Sequence, residues 1–182
     1  MQMKESGITV HGDNMKNKVL KLKKDNCTLK GKVRLIDNDP RNPYTKKGAK
    51  ATYGPWKKNL IVTVGKTAVL RRMGGIALLA NEGQITYGAV GTSATAPAVS
   101  DIALGTEIER KAVSFQQVIG TTLTLRCYFA EAEAVGVLTE FGWFGEAATA
   151  AADSGTMFNH VQITKTKTTA KTLTAEQEIE IA

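Results

Sequence analysis

Residues 121–129 read Thr-Thr-Leu-Thr-Leu-Arg-Cys-Tyr-Phe, with Leu123, Leu125, Cys127 and Phe129 on one parity and Thr122, Thr124, Arg126 and Tyr128 on the other. A period of two fits a pleated strand with one face against a core; a surface helix would need a 3.6-residue stripe. The pattern places Cys127 on the apolar face, where a thiol packs as a small hydrophobe.

Similar patterns recur along the chain. In residues 29–37, Val33 and Leu35 interleave with Lys32 and Arg34, and residues 19–24 alternate likewise. Residues 84–90, 110–115, 137–144, 157–164 and 172–181 also read as strands. The β-branched run 59–64 reads as one more, followed by a short helix near residues 66–73 that Gly74 and Gly75 close. Short strands separated by turn residues predict a mainly β fold, an antiparallel β-sandwich of barrel-like form with one short helix. Residues 37–53 collect Asn38, Pro40, Asn42, Pro43 and Gly48 and read as a long exposed loop. The Ala- and Gly-rich residues 145–155 read as a mobile one.

The charge is unevenly distributed. Residues 1–75 hold 18 Lys and Arg against 5 Asp and Glu, whereas residues 76–182 hold 6 against 12. This split suggests a basic attachment segment, residues 1–57, joined to a β domain, residues 58–182. Such a segment would face an acidic surface: nucleic acid, another protein, or the acidic part of a neighbouring copy. Its candidate contact residues are Tyr44, Tyr53 and Trp56, interleaved with Lys46, Lys47, Lys50, Lys57 and Lys58. Bases could stack on such rings while lysines neutralise phosphates, or the rings could anchor in a neighbouring subunit. Lysines spread over a solvated face are the plain alternative.

Chemistry-bearing residues are scarce. The sequence has two cysteines, Cys27 and Cys127, and two histidines, His11 and His160, which argues against a disulfide framework, a metal centre or a histidine-based active site. The run from Leu60 ends in Gly65-Lys66-Thr67, but the first glycine of a phosphate-binding loop would fall on position 60, which is Leu60. The pairs Glu107/Glu109 and Glu131/Glu133 read as solvated charges. Glu176, Glu178 and Glu180 alternate on the last strand as they would on an exposed edge guarded against unwanted pairing. No enzyme, cofactor or metal is expected. No apolar run reaches the roughly 18 residues of a membrane span, and the first twenty residues lack a signal peptide's apolar stretch, so a chain made in the cytoplasm is expected.

From Lys58 onward a set of motifs recurs in order. A Lys-Asn-Leu-Ile-Val strand (residues 58–62) precedes a glycine and a short helix, and residues 85–92 and Ala96-Pro97-Ala98 follow. Leu104-Gly105-Thr106-Glu107 leads to Arg110-Lys111-Ala112, then residues 123–129, Glu133-Ala134, Gly136 and Glu140-Phe141-Gly142-Trp143-Phe144. Gly155-Thr156-Met157-Phe158, Lys165-Thr166 and Thr172-Leu173-Thr174 close the series. Over residues 58–182 the chain thereby resembles a family of tailed-bacteriophage virion structural proteins often labelled tail fibre. The acidic ending from Ala175 departs from that family's apolar last strand, and residues 1–56 lie outside the match.

The resemblance implies a non-enzymatic protein of the virion exterior, either a capsid-decorating protein or a short tail-fibre or collar appendage. It implies capsid or tail proteins and further copies of the chain as partners, with a homotrimer or other closed ring expected from the opposite charges of the two halves. No membrane is expected as a partner, and nucleic acid is the less favoured one. A nucleic-acid-binding module built on the basic half is the competing reading. Removal of residues 1–57 is expected to leave a folded, self-associating domain of residues 58–182 that no longer joins the particle.

Overall fold

The computed structural model describes residues 28–76 and 83–182. The strand candidate at 19–24, His11 and Cys27 lie outside the described residues. Among the described residues ten strands and one helix follow in chain order: β1 (Leu29–Asp37), β2 (Thr52–Tyr53), β3 (Lys57–Lys58), β4 (Leu60–Ile61), α1 (Thr63–Met73), β5 (Ile85–Gly91), β6 (Glu107–Ile119), β7 (Thr122–Phe129), β8 (Gly136–Gly145), β9 (Thr156–Lys167) and β10 (Leu173–Ile181). All pairings are antiparallel, in the order β2-β1-β10-β7-β6-β5-β8-β9-β4, with β3 also on β1. The fold is the mainly β, barrel-like one that the alternation predicts: one curled sheet with a short helix.

The period of two is what makes the sheet curl around a core. Val33 lies level with Gln177 and Leu125, and Leu35 with Ala175 and Cys127, so one parity of β1, β10 and β7 points inward. These residues meet Phe141, Trp143, Val161 and Ile163 from β8 and β9, all nearly or fully buried. Each large apolar side chain so enclosed stabilises the fold by about 1.5–3 kcal/mol. Phe141 and Trp143 meet edge to face at 5.2 Å. Gly88 of β5 leaves room for them, because a Cβ there would lie 2.6 Å from the Cys127 sulfur.

The two margins of the curled sheet, β1 and β9, are joined by one short stretch of chain. Lys57 and Lys58 pair with Val33 and Lys32 of β1, and two residues later Leu60 and Ile61 pair with His160 and Asn159 of β9. Between them the Asn59 amide donates to the Gly31 carbonyl at 3.1 Å. Residues 57–61 thus act as a clasp across the open side.

Three expectations change. The sheet crosses the anticipated division at Lys58, since β1 pairs with β10 over all nine of its residues. The β-branched run 59–64 is strand only at Leu60–Ile61; α1 already begins at Thr63, and its Gly65 lets the helix lie on β9, where a Cβ would meet the Phe158 carbonyl at 2.2 Å. β10 is not an edge strand. It lies between β1 and β7; its glutamates all face cations of β1, and Glu176 also faces Arg126 of β7.

Candidate docking surface

The outward parity of β1, β10 and β7 carries a ladder of opposite charges. Lys30, Lys32 and Arg34 lie opposite Glu180, Glu178 and Glu176, the direct pairing that favours unlike charges. Lys32 meets Glu178 at 2.7 Å. Glu176, which is 2% exposed, receives the Arg34 Nε at 2.8 Å, the Arg41 Nη1 at 2.9 Å and the Arg126 guanidinium. Burial alone would raise the Glu176 pKa; the hydrogen bonds of Arg126 and Arg34 and the Arg41 charge together hold it below its ordinary value. Asp39 behaves alike, because the Arg41 fork, with Nη2 at 2.7 Å from Oδ2, outweighs the effect of burial.

These contacts fasten residues 38–53 onto the sheet. Arg41 bridges Asp39 and Glu176, and the Asn42 amide donates to the Leu173 and Phe129 carbonyls at 3.1 and 3.4 Å. Thr45 and Thr172 share a hydrogen bond of 2.6 Å. The segment expected as an exposed loop therefore has a buried underside, with Asp39 at 0% and Asn42 at 2% exposed.

Its outer side presents part of the expected contact set. Tyr44 is 56% and Tyr53 52% exposed, and Lys46, Lys47 and Lys50 are exposed. Lys46 reaches Glu131 at 3.1 Å, and the Lys50 carbonyl accepts from the Asn38 side chain at 3.5 Å. Tyr44 also borders an open groove of about 510 Å³ with Pro43, Arg41, Lys111 and Tyr128. Trp56 sits differently. It is half-buried, its ring covered by Arg34 at 4.5 Å and Lys32 at 4.8 Å, while Arg34 also lies 5.1 Å from the Tyr53 ring. Lys57 and Lys58 belong to the clasp; the Lys57 amine lies 3.5 Å from the Gln162 carbonyl.

Arg34, Arg41 and Arg126, which organise this surface around Glu176, were not singled out by the sequence reading, and Glu176 was placed on an exposed edge. A signal existed: Lys32/Arg34 and Glu176/Glu178 repeat at the same two-residue spacing, as directly opposed cross-strand pairs do. Part of the charge asymmetry between the halves is consequently satisfied inside one chain.

Two further polar clusters anchor loops on the opposite side. The fully buried Glu140 accepts from the backbone amides of Ser93, Gly105 and Thr106 at 3.1, 2.9 and 2.8 Å, and its Oε2 lies 3.2 Å from His160 Nε2. His160 Nδ1 meets Asp101 at 2.7 Å, so one carboxylate and one imidazole pin both ends of residues 93–106. The buried Arg110 grips Glu107 and donates to the Ser154 carbonyl and hydroxyl, both at 2.9 Å, beneath residues 145–155. That segment, expected as a mobile loop, is tied down. Among the described residues no group of three or more His, Cys, Asp or Glu is placed to hold a metal ion. Burial pushes the Cys127 thiol far above its ordinary pKa, which suits packing and disfavours a reactive thiolate.

No family model, curated protein or solved structure matches the chain.

Proposed function

We propose that the protein is a non-enzymatic structural component of the exterior of a tailed-bacteriophage particle, a capsid-decorating protein or a short tail-fibre or collar appendage. It docks through the surface of residues 38–58 and self-associates. The motif order over residues 58–182 supports the class. The observation that carries the docking role is mechanical: residues 38–53 are clamped from beneath by Arg41 on the buried Glu176 and by the buried Asp39 and Asn42, while Tyr44, Lys46, Lys47, Lys50 and Tyr53 face outward. A surface fixed before binding loses little conformational entropy on contact, exposed tyrosines supply rigid contact area, and a lysine rim steers encounter with an acidic partner. Trp56, held by its own chain's cations, contributes as a support for Arg34 and Tyr53.

Co-sedimentation with particles that lack the protein tests this. Binding by the wild type, and loss of at least tenfold in affinity for Tyr44→Ala combined with Lys46→Ala, Lys47→Ala and Lys50→Ala, is the expected result. Normal binding by that variant at an unchanged thermal midpoint overturns the docking surface. Tight binding to DNA with a steep salt dependence, in place of particle binding, would move the reading to the nucleic-acid module.

A further inference from the structure

The long strand β6 changes neighbours midway. From Glu107 to Ala112 it pairs with β5, the last pair being Tyr87 with Ala112. Beyond that point it pairs with β7 instead, from Val113 with Cys127 to Ile119 with Thr122. No strand among the described residues pairs with the other side of residues 113–119. Before Tyr87, β5 is paired with β8 alone, and an open wedge of about 450 Å³ lies between Thr86 and Tyr87 on one side and Val113 and Phe115 on the other.

This edge lacks the usual safeguards. From Ala112 to Leu125 no side chain is charged and no proline occurs, and the one irregularity, a bulge between Val113 and Phe115, precedes the exposed stretch. Val118 and Ile119 are each 68% exposed, although Val118 lies opposite Leu123 on the parity whose next member, Leu125, is core. A strand with alternate backbone groups turned outward and uncovered apolar side chains is a template for another strand.

We propose that a second copy of this chain fills the edge, its β6 lying antiparallel to the first about a twofold axis. Charge selects this occupant. An uncharged strand gives an acidic or basic segment nothing to recognise, whereas two copies of it place no like charges opposite one another. The pairing would continue the sheet from one molecule into the next and cover Val118. It deepens the self-association within the proposed function and rests on that reading only there; it makes the closed assembly a dimer and not a trimer.

Light scattering on the full chain across about 1–100 µM, with hydrogen exchange at residues 114–119, tests the contact. A dimer with protected amides is expected, converted to a monomer with at least tenfold faster exchange there by Val118→Lys, and separately by Ile119→Lys, at an unchanged circular dichroism spectrum. A monomer throughout overturns the proposal, as does edge protection in a monomer, which would mean that the chain covers its own edge. A dimer or trimer that survives both substitutions overturns the β6 contact while leaving self-association standing. Attachment to particles is read independently by co-sedimentation.

Discussion

Asn159 of β9 and Gln177 of β10 hydrogen-bond across the interior at 2.9 Å, although their strands are not neighbours in the sheet. Both are fully buried, and Asn159 also accepts from the Trp143 amide at 3.2 Å. The pair ties the two sides of the curled sheet together through the core. Replacing Gln177 with Leu leaves the Asn159 amide without its acceptor and is expected to cost about 1–3 kcal/mol. Asn159→Leu should cost more, since it removes two contacts. In denaturant unfolding the double variant is expected to lose less than the sum of the singles; strict additivity would show that the bond is not formed.

Acid sensitivity follows from the carboxylates that face arginine or backbone donors. Asp39, Asp101, Glu133 and Glu176 are each held below their ordinary values against the opposing effect of burial. The unfolded chain then takes up protons at a higher pH than the folded one, so stability falls as pH falls through that window. The contribution is complete above the unfolded values near about 4 and is lost below them. Thermal midpoints should stay level near neutrality and drop below about pH 4.5. Glu176→Gln should lower the midpoint at pH 7, by the equivalent of about 3–5 kcal/mol for a broken buried pair, and flatten the acid decline.

Leu125→Asp places a charge at a site 1% exposed and is expected to abolish soluble expression. Lys47→Ala, on the exposed outer side of residues 38–53, should shift stability by about half a kcal/mol or less. Equal midpoints for the two variants would contradict the assignment of faces in β7.

Removal of residues 1–57 deletes β1, β2 and half of β3, and with them the partners of one whole side of β10. The remaining chain is therefore expected to be unfolded or aggregated, contrary to what an independent domain beginning at Lys58 would give. Circular dichroism and proteolysis of the purified fragment check this; a cooperative melt would show that β10 tolerates an open edge.

The strands with alternating polarity were legible because burial on one face imposes the pattern directly: residues 29–37 and 121–129 fall on β1 and β7 almost residue for residue. The run 59–64 was misread because β-branched residues fit a strand equally well when only two of them pair, and because Thr63 and Val64 are drawn into a helix that β9 supports. Of the contact residues, Tyr44, Lys46, Lys47, Lys50 and Tyr53 are on the surface, as composition suggests. The engaged position of Trp56 depends on Arg34 standing opposite Glu176, 142 positions away, which no local pattern reveals. The anchoring role of Glu140 was invisible for a related reason: its partners are mostly backbone groups of distant loops.

The pairing of Leu29 with Ile181 sets a timetable for synthesis. At roughly 5–20 residues per second on the ribosome, β1 emerges about 7–30 s before its partner β10. Through that interval Lys32 and Arg34 have no Glu178 or Glu176 to meet, and the apolar parity of β1 has no sheet beside it. β7 waits on the same last strand, which it shares with β1. The curled sheet is thereby completed only once β10 has emerged, by contacts of very long sequence separation that make folding slow. A nascent chain stalled before Leu173 should stay sensitive to protease along its whole length, and protection should appear only once residues 173–181 clear the exit tunnel.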